Sequence, residues 1–384
     1  MTRKSCFGSI YKYELLKILK NKVAVITFLI LFVYAFVQGQ FEISGGVDLE
    51  DMEAYSMING REIDDELLNE LRAVTDEAGN LIDDKYVAYK HLNAWVLEVL
   101  DVLGRGASIR DLNAEKLYED RVYGIREAQE ALQLSEGEIL YWSEKEASLD
   151  KPFRYHDTMI SGGVLEGTTN YMIMSVLLIA VSLSMVFAME TQRKTDPMIR
   201  ASIHGGRELY YAKILAGMTY VMSCVILLLL TFYAYIGIVW GYDGMDSLIQ
   251  VYYPLAELNI TMWQLAGILI MLILSGSILI SAFALFISNA TRNGLAAMTI
   301  LIVVHGGLFA IATSIPLDMR VLSQCLSLFP PTLVSSRLVY EFRLVKVGSY
   351  YLCYQAAPVL YGILTVVFLA LGYVMYDRHE IKSN

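Results

Sequence analysis

Long apolar runs alternate with charged segments along the chain. Six of these runs lack Asp, Glu, Lys and Arg, and their apolar positions are continuous rather than alternating. About 20 apolar residues in an α-helix cross the roughly 30 Å hydrocarbon core of a bilayer, whereas a membrane barrel needs short alternating runs. The sequence therefore predicts six membrane-spanning helices. They cover 23–41, 170–189, 214–237, 263–287, 295–315 and 358–376.

The predicted fold is an all-α polytopic membrane protein with an N-terminal interfacial helix and a mostly helical domain after the first span. The segments outside the spans differ in length and charge, and these differences set their expected roles. We expect a cytoplasmic amphipathic helix at 1–22, an extracellular acidic helical domain at 42–169, a cytoplasmic loop at 190–213, an outer loop at 238–262, an inner loop at 288–294, an outer or re-entrant segment at 316–357 and a cytoplasmic tail at 377–384.

Composition excludes an ordinary soluble domain. Only 18% of the 384 residues are charged and the mean hydropathy is +0.46, whereas soluble domains carry about 25% charged residues. The formal charge of −10 is unevenly distributed, since 39–168 carry −17 and the remainder carries +7. An acidic chain has little attraction for a phosphate backbone, so no nucleic-acid partner is expected.

The basic residues orient the spans, because cytoplasmic flanks are enriched in Lys and Arg. The first 22 residues carry six of them, 190–213 carry five and 238–262 carry none. Both termini are therefore predicted to be cytoplasmic, with the acidic block outside. The segment 316–357 carries four basic residues on the predicted outer side, which leaves its topology open. A secretory signal also begins with basic residues, but no small-x-small site follows Val37, so we interpret the first run as an uncleaved span.

The acidic block has the periodicity of helices at 64–74, 87–102, 113–133 and 136–147. Ser135 followed by Glu138 is the pattern of a capping box at the start of the last of these helices. The block contains no cysteine. Its carboxylate pairs, Asp64–Asp65 and Asp83–Asp84, lack calcium-loop spacing, so we interpret them as solvated acidic faces rather than as a metal site.

The sequence contains no nucleotide-binding, zinc-protease or serine-hydrolase motif. The sequence lacks Gly-x-x-x-x-Gly-Lys-Ser/Thr, His-Glu-x-x-His and Gly-x-Ser-x-Gly, so we expect no catalytic, cofactor-binding or metal-binding residues. His305 is the one ionisable residue in the predicted spans. It is either a proton relay or, as we prefer, a packing or pore-lining donor, and Ser277 and Ser281 are small residues of the same packing or pore-lining kind.

The first cytoplasmic segment predicts an interfacial helix. Tyr11, Leu15 and Ile18 recur at the spacing i, i+4, i+7, and lysines occupy the positions between them. Such a helix lies at the membrane surface with its lysines toward anionic headgroups. The alternative is a basic flank without a special role. The second cytoplasmic segment, 190–213, is broken by Pro197 and Gly205-Gly206, and a helix is expected to begin near Arg207. It is either a docking site for a cytoplasmic partner or a plain connector.

These features together resemble the permease subunit of ABC-2 type exporters of Gram-positive bacteria. The likeness lies in the six spans, the basic N-terminal helix, the large insertion after the first span, and the residues of the second cytoplasmic segment. The resemblance implies that this segment docks on an ATPase. The residues carried over to that role are Glu190, Lys194, Asp196, Arg200, Ser202, Gly205, Gly206, Arg207 and Lys213.

The resemblance further implies a complex in the bacterial cytoplasmic membrane. Two permease subunits, identical or different, would pair in the lipid, and two cytoplasmic ABC ATPase subunits would bind beneath them. ATP and Mg²⁺ would then bind to the ATPases and not to this chain. The cargo stays open among peptides, lipids and drugs. The alternative function is a non-transporting membrane sensor or scaffold whose acidic outer domain binds a peptide or protein.

The predicted orientation can be tested with single cysteines placed in 42–169 of a variant from which the four native cysteines have been removed. We expect an impermeant thiol reagent to label them in intact cells, because this block is predicted to be outside. Single cysteines in 190–213 are the matched control and are expected to react only after the membrane is opened. Labelling of 190–213 but not of 42–169 in intact cells would show that the orientation is opposite to the predicted one.

Overall fold

The computed structural model describes residues 7–44, 49–76, 79–101, 109–200, 202, 204–316 and 319–381. Within these residues the chain forms sixteen α-helices and one two-stranded antiparallel sheet. The elements are α1 Phe7–Leu19, α2 Lys22–Ser44, α3 Leu49–Tyr55, α4 Asp65–Ala73, α5 Lys90–Asp101, α6 Ala114–Ala131, α7 Glu136–Ala147, α8 Met159–Leu183, α9 Met185–Gln192, α10 Asp196–Arg200, α11 Arg207–Val239, α12 Met262–Thr291, α13 Gly294–Ser314, α14 Arg320–Ser327, α15 Pro330–Leu333, β1 Leu344–Val347, β2 Ser349–Leu352 and α16 Cys353–Ile381.

Six helices are long and apolar enough to cross a membrane, as expected of a multi-pass membrane protein. They overlap the six apolar runs of the sequence, so the predicted helical character is confirmed, and the six helices are consistent with a polytopic membrane protein. α12 lies in the middle of the bundle and contacts α8, α11, α13 and α16. The six stretches are Lys22–Ile43, Met159–Gln192, Arg207–Val239, Met262–Thr291, Gly294–Ser314 and Cys353–Arg378.

The second span is longer than the predicted 170–189. Its helix begins at Met159, because the polar and glycine-rich stretch before 170 packs against protein rather than lipid. A Cβ on Gly167 would lie 2.5 Å from the Phe232 ring, so only glycine permits that approach of α8 to α11. Near its other end the helix is interrupted between α8 and α9. The Ser288 hydroxyl of α12 accepts from the Phe187 amide at 3.1 Å and donates to the Ser184 carbonyl at 2.7 Å.

Two other predicted bounds are corrected. The inner loop expected at 288–294 is mostly helix, because α12 continues to Thr291 and α13 begins at Gly294. Arg292 takes a left-handed backbone conformation at the junction, and the Asn293 side chain caps α13. The last span, expected at 358–376, begins at Cys353. Pro358 is the sixth residue of this helix, past the first turn, so the backbone hydrogen bond that its position would donate to the Tyr354 carbonyl is missing.

The segment 316–357 contains a sheet that the all-α prediction missed. β1 and β2 form a hairpin that turns at Gly348, whose φ is +76°. Before it, α14 ends at Ser327 and α15 begins at Pro330, so the Phe329-Pro330-Pro331 sequence separates two short helices. The short α15 contacts α8, α12 and α13 and so packs against the spanning helices.

The segment 42–169 contains the four predicted helices, as α4 to α7, and the short α3. α7 begins with the expected capping box of Ser135 and Glu138. A separate apolar core around α4 and α5 includes Leu67, Leu71 and Val96, all of which are fully buried. The region therefore has a core of its own, and we call it the outer domain. One carboxylate of each pair caps a helix, since the Asp64 side chain caps α4 and the Asp83 side chain caps a short 3-10 helix.

A buried polar contact attaches the outer domain to the loop between α11 and α12. Arg121 of α6 is fully buried, donates to the carbonyls of Pro254 and Ala256, and pairs with Glu146 at 2.6 Å. Glu257 of the same loop accepts from the Gln129 amide at 3.0 Å. Burial, aided by the nearby Glu146 carboxylate, raises the pKa of Glu257 to about 8, and the Arg121 charge and the Gln129 bond offset this only in part.

This contact predicts a stability that depends on pH. The unfolded chain loses the Glu257 proton near pH 4.5, whereas the folded chain keeps it until about pH 8. The free energy of unfolding therefore falls as the pH rises through this window, by up to about 5 kcal/mol at roughly 1.4 kcal/mol per pH unit. We expect Glu257→Gln to make the thermal midpoint in detergent much less dependent on pH between 5 and 8.

Glu130→Gln is the matched control, because Glu130 is exposed on the same helix as Gln129. It should keep the slope of the native protein. Equal slopes for the native protein and Glu257→Gln would show that Glu257 is ionised across the whole range.

Candidate functional site

The N-terminal helix and the segment 190–213 meet at one end of the bundle, which we call the basic end. α1 packs along α11 and touches α2. Of the three residues of its predicted apolar stripe, Ile18 is buried and Tyr11 and Leu15 are partly buried against the bundle. Lys12 and Lys20 are exposed. The stripe therefore packs on protein, and only part of the helix remains for contact with headgroups.

Four charged side chains from three elements form a compact cluster at the basic end. Glu14 and Lys17 lie on α1, Glu190 on α9 and Lys213 on α11. The Lys17 ammonium is 2.6 Å from Glu14 and 2.8 Å from Glu190. The Lys213 ammonium is 3.1 Å from Glu14 and 2.8 Å from Glu190, and it also donates to the Val186 carbonyl at 3.1 Å. We call these four residues the ion-pair cluster.

The ion-pair cluster is both buried and electrically balanced. Glu14, Glu190 and Lys213 are 4%, 7% and 1% exposed, and Lys17 is partly buried. Burial alone would lower the pKa of Lys17, but its hydrogen bonds to Glu14 and Glu190 outweigh this and raise it above the ordinary value. Two carboxylates and two ammonium groups thus neutralise one another, which is the condition under which buried charges are tolerated.

The backbone between α9 and α11 is fixed at several points. After α9, Lys194 adopts a left-handed conformation with φ of +57°, and the Thr195 amide donates to the Glu190 carbonyl at 3.0 Å. The five-residue helix α10 follows. Gly205 is buried and its carbonyl accepts from the Tyr376 hydroxyl of α16 at 2.8 Å, which ties the segment to the last span.

The residues assigned to ATPase coupling divide into two groups. Glu190, Gly205 and Lys213 are buried and hold the segment to the bundle, and the partly buried Gly206 is the residue before α11. Lys194, Ser202 and Arg207 are exposed. The side chains of Asp196 and Arg200 lie outside the described residues, although the backbone of both belongs to α10.

The exposed group includes an apolar side chain on α10. Met198 is 78% exposed, between the exposed Lys194 and Ser202. Beside α10, a cavity of about 580 Å³ opens between α1 and the segment, and its wall includes Tyr13, Met198 and Leu209. A short helix with an exposed apolar residue among polar and basic ones is suited to contact with another protein.

The three residues considered for packing or a pore are all buried. The His305 Nδ1 lies 2.8 Å from the Leu301 carbonyl one turn earlier in α13, and its ring lies 5.3 Å from that of Phe329. Ser277 and Ser281 are fully buried in α12. Each of these side chains is buried among its own or neighbouring helices.

Cys325 of α14 and Cys353 at the start of α16 do not form a disulfide. Cys353 is buried and its thiol lies 3.5 Å from the Arg343 carbonyl, whereas Cys325 is exposed.

Sequence reasoning missed Glu14 and Lys17 as site residues. Glu14 follows Tyr11 by three positions and precedes Ile18 by four, so it shares the apolar face of α1. A carboxylate on an apolar face is a signal of a buried partner, and the buried cation that Glu14 meets, besides Lys17 of its own helix, is Lys213 on α11. The sequence alone does not identify that cation, because the pairing depends on how the helices pack.

Comparison with family models, with curated proteins and with solved structures gave no match for this chain. The site is therefore interpreted from its own geometry.

The ion-pair cluster predicts strongly non-additive effects on stability. Lys213→Met leaves two buried carboxylates with one cation, and we expect it to lower the free energy of unfolding by about 3–5 kcal/mol. The double variant Lys213→Met with Glu190→Gln leaves the balanced pair of Glu14 and Lys17, so it should be less destabilised than the single variant. Thermal unfolding of the full chain in detergent measures both.

The matched control is Lys20→Met, which removes an exposed lysine from α1 and should leave the midpoint close to that of the native protein. Additive losses in the double variant would mean that Glu190 and Lys213 do not stabilise each other.

Proposed function

We propose that this chain is the membrane-spanning permease subunit of an ATP-driven ABC exporter, with ATP hydrolysis on a separate subunit. The observation that carries the proposal is α10 and its surroundings. A short helix with an exposed methionine lies between two spanning helices, and the chain on both sides of it is held to the bundle by buried charges. A partner that pushes on α10 therefore acts on the spans and not on a loose loop.

The contacts on either side of α10 indicate which helices would move when a partner displaces it. α10 is joined to α9 and α11 by a few residues, and Glu190 and Lys213 on those two helices share the ion-pair cluster with α1. Gly205 is bonded to Tyr376 of the last span. A displacement of α10 would reach α1, α9, α11 and α16 together, which would reshape the path between two paired permease subunits.

The remaining parts of the proposed complex lie on other chains. ATP and Mg²⁺ would bind to two cytoplasmic ATPase subunits, since this sequence has no Gly-x-x-x-x-Gly-Lys-Ser/Thr loop. A second permease subunit would complete the path in the bacterial cytoplasmic membrane. The substrate class is a peptide, a lipid or a drug.

A sensor or scaffold is the second candidate, and the separate core of the outer domain favours it. Such a domain can bind a peptide or protein without transport. Co-purification distinguishes the two functions, because an exporter subunit should retain an ATPase and alter its rate of hydrolysis, whereas a scaffold should do neither.

Charge reversal within the segment 190–213 tests whether this segment docks on the ATPase. We expect Arg207→Glu, and likewise Arg200→Glu, to reduce capture of the ATPase at least about tenfold in a pull-down from membranes, while membrane insertion stays normal. Arg207 is exposed, and its guanidinium lies 5.6 Å from the centre of the Tyr211 ring. Loss of its charge therefore changes the surface without disturbing the core.

Lys346→Glu is the matched control. Lys346 is also exposed and lies 5.1 Å from the centre of the Tyr350 ring, but it belongs to the hairpin of β1 and β2, far along the chain from α10. Capture by this variant should equal that of the native protein. Unchanged capture by both Arg200→Glu and Arg207→Glu would remove this segment from the docking surface.

A further inference from the structure

A second cavity, of about 350 Å³, lies between α5 of the outer domain and the adjoining ends of α2 and α8. Three carboxylates line it, and they are Glu42 on α2, Glu98 on α5 and Glu166 on α8. Trp95 and Tyr252 contribute aromatic rings to the wall. None of the described residues that line the cavity is Lys or Arg, and the histidine in its wall, His91, pairs with Asp157 through Nδ1 at 2.5 Å. The cavity is therefore concave, acidic and partly aromatic.

The carboxylates of Glu42 and Glu166 have neutral partners. Glu42 accepts from the Asn170 amide at 3.0 Å. Glu166 accepts from the Tyr253 hydroxyl at 3.0 Å and from the Ser336 hydroxyl at 2.6 Å. Within the part of the chain that the structure describes, no Lys or Arg forms an ion pair with either carboxylate. This differs from the basic end, where Lys17 and Lys213 neutralise the buried carboxylates.

The two carboxylates lie near the ends of spanning helices. Ionisable side chains on such helices are rare because they are costly there, and they commonly face a path for a substrate or ion. A glycine allows the two helices to pack closely, because a Cβ on Gly163 of α8 would lie 3.0 Å from the Glu42 carbonyl oxygen of α2. Gly162 likewise allows Tyr252, from the loop between α11 and α12, to approach α8, because a Cβ there would lie 2.6 Å from the Tyr252 ring. The fold thus holds like charges side by side around a space that no Lys or Arg of the described residues lines.

We propose that this cavity binds an organic cation, an ammonium or guanidinium group carried on an apolar body. The carboxylates would accept charge-assisted hydrogen bonds from the cationic group. The aromatic faces would contact its apolar part and add a cation–π attraction. Trp95 is fixed for this role, because its ring nitrogen donates to the Gln250 carbonyl at 2.7 Å.

The size of the cavity favours an organic cation over a bare metal ion. A volume of about 350 Å³ falls in the range of small-molecule sites and far exceeds the space of a single ion. The described residues also contain no group of three or more His, Cys, Asp or Glu side chains arranged to hold a metal. The proposal is independent of ATPase docking, since a transporter and a sensor could each use such a site.

Benzamidinium is a suitable probe, because it is a planar organic cation with a neutral analogue of the same shape, benzamide. Binding of each to the full chain in lipid nanodiscs would be measured by isothermal titration calorimetry at low salt. We expect benzamidinium to bind at least about tenfold more tightly than benzamide. We also expect its affinity to fall as salt is added, because the attraction is electrostatic.

Three variants locate the site. Glu42→Gln with Glu166→Gln removes two charges while keeping the shape, and it should weaken benzamidinium at least about tenfold. Ala94→Phe fills the cavity from its exposed wall and should abolish binding of the probe. Glu130→Gln is the matched control, since Glu130 is exposed on α6 and does not line the cavity, and it should bind as the native protein does.

The comparison of benzamidinium with benzamide needs no variant, so it holds even if a substitution impairs folding. Absence of benzamidinium binding to the native chain, or equal affinities for the two compounds, would overturn the proposal. So would native affinity in both the charge-removed and the cavity-filled variants.

Discussion

Burial of four charges at the basic end is the constraint on which this architecture depends. Glu14, Lys17, Glu190 and Lys213 come from α1, α9 and α11, and each would be costly to bury alone. The arrangement that pairs all four also fixes where the N-terminal helix lies and how the chain leaves the second span and enters the third. The short helix α10 is exposed between those two anchored points.

The carboxylates at the two ends of the bundle differ in what balances their charge. At the basic end, two lysines of the same chain balance them. At the other end, Glu42 and Glu166 have only neutral donors among the described residues, and they face a cavity beneath the outer domain. Charges that a fold balances internally serve its structure, whereas charges that it leaves unbalanced beside a cavity are suited to a ligand. This contrast assigns a structural role to one set and a binding role to the other.

Most of the architecture could be predicted from the sequence, because length and hydropathy alone determine the spanning helices. The capping box at Ser135 and the start of α11 at Arg207 were also predictable, since both depend on local sequence. The early start of α8 was not, because residues 159–169 are polar and glycine-rich and become helical through contact with α2 and α11. The hairpin at Gly348 and the partners of Glu14 depend on tertiary packing in the same way, and single-sequence patterns do not contain that information.

The most direct test of the proposed role of α10 is photo-crosslinking from position 198 in native membranes. A photoreactive amino acid replaces Met198, which is 78% exposed, and the crosslinked protein is identified by mass spectrometry. The proposed function predicts a protein with a nucleotide-binding Gly-x-x-x-x-Gly-Lys-Ser/Thr loop, and no such product from a photoreactive residue at Lys346. Crosslinks from position 198 only to lipid, or only to proteins without that loop, would contradict it.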